Sequence, residues 1–193
     1  MIDKQGNVVV DFKYDQLYEI NENGLAVAQK DYKYGCIDKQ GNVVINFVYD
    51  AMSEKFNENL ISVNVNGKWG FINAEGKMVV TFEYDEVKDF SEGLAVVKKE
   101  GVYGYVNSNG QQVIKPTYIS AQNFSEGLAA VTKENSTIVN DSYYIDKNGN
   151  KVIDTSKYRK VYEFLGERAL VQMINEVGYI DKTGKEVIGN FSN

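Results

Sequence analysis

Short apolar runs and polar turns follow one another along this chain, and they return in a fixed order. Val8-Val9-Val10, Val43-Val44-Ile45 and Met78-Val79-Val80 each follow a turn that reads Asx, two variable residues, Gly. Glycine there allows positive φ and the Asx side chain accepts turn amides, so each turn is expected to be a tight hairpin with a glycine bulge. Leu94-Ala95-Val96-Val97 and Leu128-Ala129-Ala130-Val131 are further apolar runs bounded by turn residues, which predicts another strand in each copy. No sustained 3.6-residue stripe runs along the chain. With abundant Tyr and Val, that selects strands over helices.

The turns give the period. Their glycines are Gly6, Gly41, Gly76, Gly110, Gly149 and Gly184, at intervals of 35, 35, 34, 39 and 35 residues. The stretched interval contains a polar segment, 134–141. Tyr14, Tyr49, Tyr84, Tyr118 and Tyr158 keep step with the turns. A Phe-Ser-Glu-Gly-Leu-Ala element then stands clearly at Phe90–Ala95 and Phe124–Ala129, with weaker copies near Asn23–Ala26, Phe56–Ile61 and Phe164–Leu170. An aromatic-glycine pair closes the unit at Tyr34-Gly35, Trp69-Gly70 and Tyr103-Gly104; repeat four has Ser142-Tyr143 instead, and repeat five Val177-Gly178. Five full repeats are expected, over 2–36, 37–71, 72–105, 106–144 and 145–179, with a terminal hairpin at 180–193, all within a single domain spanning 1–193. Each repeat supplies about three short strands, too few to bury their own faces, so stacking on neighbours must complete the core. Alanines at one fixed place (Ala26, Ala95, Ala129, Ala169) mark where strands should approach most closely.

Composition narrows the chemistry. The formal charge is -6, from 27 acidic against 21 basic side chains, and an acidic surface repels nucleic-acid phosphates. There is no histidine and one cysteine, so Ser-His-Asp and Cys-His catalysis, His-ligated metals and cysteine cages are excluded. No phosphate-cradling glycine loop occurs. No apolar run is long enough for a membrane helix and the N-terminal residues lack a signal-peptide core, so the default expectation is a cytoplasmic chain.

Lys68-Trp69-Gly70-Phe71-Ile72-Asn73, with the Phe-Ser-Glu-Gly-Leu-Ala element downstream, resembles the bacterial WG (KWG) repeat family across essentially the whole chain. The resemblance implies a binding or interaction array, with no catalytic residues to carry over. The first and last segments are the same piece of the repeat. The expected fold is therefore all-β: tandem antiparallel hairpin repeats stacked into an open, twisted array, with a five-bladed β-propeller as the alternative. The abrupt start inside a repeat adds the expectation of a longer protein or of a partner at the chain ends.

Candidate sites follow from what repeats and what does not. Tyr34, Trp69 and Tyr103 form either an aromatic ladder or, preferably, core. The Asp residues of the turns look superficially like calcium loops but offer lysine where a ligand should stand, so no metal is expected. Glu92 and Glu126 are read as part of a solvated acidic edge facing a basic partner. Cys36 stands where other repeats carry Phe71, Tyr105, Tyr144 and Tyr179, which makes it a small apolar filler. Asn135, Ser136, Thr137 and Ile138 lie in the one insertion, and insertions in repeat proteins map to loops, often on the binding face. These residues predict a non-catalytic scaffold without cofactors that binds a protein. A cell-wall glycan or small-ligand module is the alternative, and a carboxylate-only glycosidase comes last.

Overall fold

A computed structural model describes residues 13–133 and 141–189; Asn135, Ser136, Thr137 and Ile138 lie outside the described residues. Among these there are nineteen strands and no helix, so no helix is long and apolar enough to cross a membrane. The first sheet runs β1 (Gln16–Ile20), β2 (Leu25–Lys30), β3 (Lys33–Asp38), β4 (Val43–Tyr49), each strand antiparallel to the next. The second repeats that order with β5 (Ala51–Met52), β6 (Leu60–Val65), β7 (Lys68–Asn73) and β8 (Met78–Tyr84). A seven-stranded sheet follows: β9 (Glu86–Val87), β10 (Leu94–Lys99), β11 (Val102–Asn107), β12 (Gln112–Ala121), β13 (Ala129–Lys133), β14 (Ser142–Ile145) and β15 (Lys151–Asp154). It holds two repeats because β12, ten residues long, ends one and opens the next. The last sheet is β16 (Lys160–Leu165), β17 (Arg168–Gln172), β18 (Val177–Asp181) and β19 (Glu186–Gly189).

Each repeat thus carries four strands where the sequence predicts about three. The added strand is five residues long in β1 and six in β16 but only two in β5 and β9, and two residues cannot show an alternating pattern. It lies between the periodic tyrosine and the Phe-Ser-Glu-Gly turn.

The turns form as their residues require. Gly41 N–H donates to Asp38 O at 3.0 Å, while Asp38 Oδ1 accepts from the amides of Gln40 and Asn42. Hydrogen bonds to the Asn42 side chain and then to backbone amides hold the Asp38 carboxyl below its ordinary value. At the Phe-Ser-Glu-Gly turns, Ser91 and Leu94 exchange both backbone hydrogen bonds around Glu92 and Gly93, whose φ values are 55° and 84°. Two central residues at positive φ make a two-residue hairpin that matches strand twist.

The chain forms two compact units, one from residues up to Asp89 with Ser108–Gly110, the other from Phe90–Asn107 and from Gln111 onward. The first is built on Leu25, Val27, Cys36 and Ile45 of its leading sheet packed against Met52, Phe56, Ile61 and Val63 of the next. The second has two such layers, one around Val96, Tyr105, Phe124 and Val131, the other around Ala130, Tyr144, Phe164 and Val171. Inner strands are covered on both faces, which is why β2 and β10 read as continuous apolar runs. The alanines stand where the sequence placed them: Ala26, Ala95 and Ala169 are fully buried and Ala129 nearly so.

Candidate functional site

The aromatic-glycine pair is explained by the strand opposite. Tyr34, Trp69 and Tyr103 are half-buried, and each faces a periodic tyrosine across the sheet: Tyr49, Tyr84 and Tyr118. Between those pairs and the next, Cys36 with Ile45 and its counterparts, the outer strand uses four residues against two. The resulting bulge brings backbone onto the glycine. A Cβ on Gly35 would stand 2.5 Å from Ile45 O, and one on Gly104 2.4 Å from Ile114 O. Pro116 sits in the β12 bulge, where it costs no ladder hydrogen bond. Tyr34 and Tyr103 pack against the cores of their units, and Lys98 Nζ lies 5.0 Å from the Tyr103 ring centroid.

Glu92 and Glu126 have internal tasks. The Glu92 carboxylate accepts from the amides of Glu126 (2.5 Å) and Gly127 (2.9 Å) in the equivalent turn of the following repeat. Glu126 in turn accepts from the Glu167 amide at 2.9 Å. Ser91 Oγ donates to Phe124 O and Ser125 Oγ to Phe164 O, at 2.8 and 2.6 Å. Lys147 Nζ lies 3.2 Å from Glu92, and Lys182 Nζ 3.1 Å from Glu126. Burial pushes the Glu92 carboxyl up, but hydrogen bonds from Gly127, Lys147 and Glu126 outweigh it and leave it below its ordinary value. Lys182 and then the backbone amides lower Glu126. The Phe-Ser-Glu-Gly element is therefore a stitch from one repeat to the next, and the solvated acidic edge expected from sequence is in fact engaged at these two residues.

Cys36 is fully buried with Sγ 3.8 Å from Met52 Sδ, and burial pushes its thiol up to about 12. Its counterparts are larger. Tyr105 and Tyr144 donate to Gln122 O and Tyr162 O across to the next repeat, and their rings pack on Phe124 and Phe164 at 4.9 Å.

Repeat four departs from this scheme, and an open polar cleft of about 300 Å³ lies beside it, lined mainly by Gln122, Thr132, Ser142, Arg159, Lys160 and Tyr162. Thr132 and Ser142 sit at the base of the β13–β14 hairpin with their hydroxyls 2.9 Å apart. Ser142 stands where the first three repeats carry Tyr34, Trp69 and Tyr103, so a hydroxymethyl replaces a ring. Gln122 Nε2 donates to Val161 O at 3.2 Å, but its buried Oε1 has no hydrogen-bond partner. Arg159 and Lys160 are exposed, and among the described residues neither forms an ion pair. No carboxylate lines the cleft to take a proton from Ser142 Oγ. Among the described residues no group of three or more His, Cys, Asp or Glu side chains is placed to hold a metal ion. The arrangement can hold an anionic, hydrogen-bonding group; it carries no acid-base pair.

Repeat logic passes over these residues because it looks for what recurs. The available signal was the run Lys157-Tyr158-Arg159-Lys160, three cations in four positions of an acidic chain, next to the repeat that loses its aromatic-glycine pair.

Comparison with known proteins agrees with this architecture. No curated protein matches the chain. Among solved structures, the Kluyveromyces lactis Hsv2p is similar over 95% of this chain and 63% of its own, at 14% identity and a TM-score of 0.53. The Kluyveromyces marxianus Hsv2 is similar over 89% and 63%, at 13% identity and 0.52. A eukaryotic initiation factor is similar over 89% and 53%, at 13% identity and 0.57. The chain thus spans between about half and two-thirds of those chains, and identities so low show the fold alone. These neighbours are propeller-like, which accords with the propeller alternative read from the sequence. The family model for the WG containing repeat matches residues 1–34, 34–69, 69–103, 103–136 and 144–175, in phase with the turns and the aromatic-glycine pairs. The chain belongs to the WG repeat family.

Proposed function

We propose that this β-repeat scaffold is non-catalytic and binds a protein partner, with repeat four and its neighbour supplying the specificity. One observation carries the reading. Where the repeat is regular, its polar groups are spent on holding adjacent repeats together, as at Glu92, Glu126, Ser91 and Ser125. Where it is irregular, at Ser142, polar and cationic groups line an open cleft. The half-buried state of Tyr34, Trp69 and Tyr103, and the loss of that ring at Ser142 and Val177, weigh against a glycan ladder, which needs an exposed ring on every rung. The insertion containing Asn135–Ile138 joins the two strands whose ends carry Thr132 and Ser142, and belongs to the proposed contact surface.

The test is affinity capture by the full chain beside a version lacking residues 135–140, followed by direct binding of the captured protein. A partner retained by the wild type and lost from the shortened chain is the expected result. Equal capture by both removes the loop from the contact, and retention on purified cell wall with no protein captured replaces this reading with the glycan one.

A further inference from the structure

We infer that the cleft between β12–β14 and β16 recognises a carboxylate carried on an extended peptide, an acidic strand of the partner protein; this rests on the protein-binding reading above. Three independent features of the cleft converge on that chemistry.

The first is charge. Arg159 and Lys160 stand side by side at the start of β16, and neither has a carboxylate partner among the described residues. They are exposed cations on a chain of net charge -6, so the attraction for an anion is local to this cleft. A guanidinium can clasp a carboxylate in two parallel hydrogen bonds, and the neighbouring ammonium adds a point charge.

The second is the acceptor left over. Gln122 Oε1 is buried and unpartnered, while its Nε2 is fixed on Val161 O. A buried amide oxygen without a donor is costly, and a ligand N–H satisfies it. A bare inorganic anion carries no such donor. A peptide carries one at every residue.

The third is the shape of the wall. β16 is the edge strand of its sheet, paired on one side by β17 only, and Lys160, Val161 and Tyr162 of that strand line the cleft. Gln122 and Tyr144 already hold Val161 O and Tyr162 O, so this wall addresses an extended segment mainly through its side chains. Thr132 and Ser142, their hydroxyls 2.9 Å apart, line the cleft as well. The cleft is small, about 300 Å³, so it reads one or two residues of such a strand and not a folded surface.

The experiment is fluorescence anisotropy at low salt with a labelled octapeptide of alternating Asp and Ser. The same peptide with Asn for Asp, free succinate and polygalacturonate are compared with it. The full chain is used, as wild type and as the Arg159→Gln/Lys160→Gln double variant. Both side chains are exposed, so unchanged far-UV circular dichroism and melting verify the variant's fold. A second variant, Ser142→Tyr, restores the ring of the first three repeats and leaves the cations in place. The expected result is saturable binding of the Asp peptide, about tenfold or more weaker for the Asn peptide and for the double variant. Loss of affinity on raising salt and in Ser142→Tyr is also expected. Absence of saturable binding, or equal binding by the double variant, overturns the inference. Displacement by succinate at the peptide's own concentration reassigns the cleft to a small free carboxylate, and tighter binding of polygalacturonate reassigns it to an acidic glycan; either overturns the peptide. If the double variant loses a captured partner while the wild type ignores the Asp peptide, the carboxylate inference fails and the protein-binding reading stands. If the peptide binds but no protein partner exists, the reverse holds.

Discussion

The sheet β5–β8 and the stretch β13–β15 treat one position of the repeat in opposite ways. In the first, Gly70 lies under a bulged neighbour: Trp69 faces Tyr84 and Phe71 faces Val80, four residues against two. A Cβ there would come within 2.5 Å of Val80 O and of the Phe82 ring. In the second, Tyr143 faces Asp154 and Tyr144 faces Ile153, one for one, so no bulge falls between these pairs; the register shifts only afterwards, between Tyr144 and Ile145. A tyrosine therefore stands where glycine was obligatory, its ring edge-on to Tyr118 at 6.3 Å. β15 stops at Asp154, and fully buried Thr155 turns the chain by donating its hydroxyl to Ser142 O at 2.6 Å. The glycine of the repeat answers to the partner strand's geometry. In repeat four, where no bulge covers that position, glycine and ring are both replaced, and Ser142 becomes part of the cleft.

The sharpest way to break this comparison is Gly70→Val. Val80 O is backbone and cannot step aside, so about 3 kcal/mol of destabilisation is expected. Tyr143→Ala, at the matching position, is expected to cost about 1 kcal/mol, mostly through the half-buried ring. Equilibrium urea unfolding of both variants checks the pair. Equal losses would mean that the bulge is not what requires the glycine.

Next in size is Thr155→Val, which keeps the shape and removes the hydroxyl that replaces the bulge. A loss of about 1–2 kcal/mol is expected, because the Ser142 carbonyl loses its donor. The same urea series measures it, and no change would show that β15 ends where it does for another reason.

The stitches of the regular repeats predict a pH effect. Glu92 and Glu126 have folded-state pKa values below the ordinary 4.5. Their stabilisation is fully present above that value and is lost as pH falls through the lowered folded values. Glu126→Gln should flatten the fall of stability as pH drops below about 4.5. A melting series against pH, with the same slope for variant and wild type, would show that the Glu126 carboxylate does not join the repeats. The smallest effect is expected at Cys36, whose thiol is buried and pushed up to about 12. Cys36→Val should cost under about 1 kcal/mol, and thiol reagents at pH 8 should label the wild type only as fast as it unfolds. Rapid labelling in native buffer would contradict the filler assignment.

Much of this was legible in the residues. The Asx-Gly turns, the strand pairs around them and the burial of Tyr49, Tyr84, Tyr118 and Tyr158 all follow from local chemistry and period. The equivalence of Cys36 with Phe71 and Tyr105 also follows from period alone. Glu92 was not legible, because the amides that hold it belong to residues 34 and 35 positions later and look like ordinary turn residues. The cleft was hidden for the same reason, since its walls come from β12, β13, β14 and β16.

The sequence by itself determined which residues turn, which extend and how often the pattern returns, because positive φ, Asx hydrogen bonding and β-branching act within a few residues. Only the tertiary structure decided what the motif residues are for. Gly70 is required by a bulge in the strand beside it, Glu92 and Glu126 hold turns in the following repeat, and Arg159, Lys160 and Gln122 come to line one cleft only where two sheets meet. A hydrogen bond or a steric contact is a property of two groups at a distance of a few ångströms, and a linear chain specifies that distance only once its sheets have stacked.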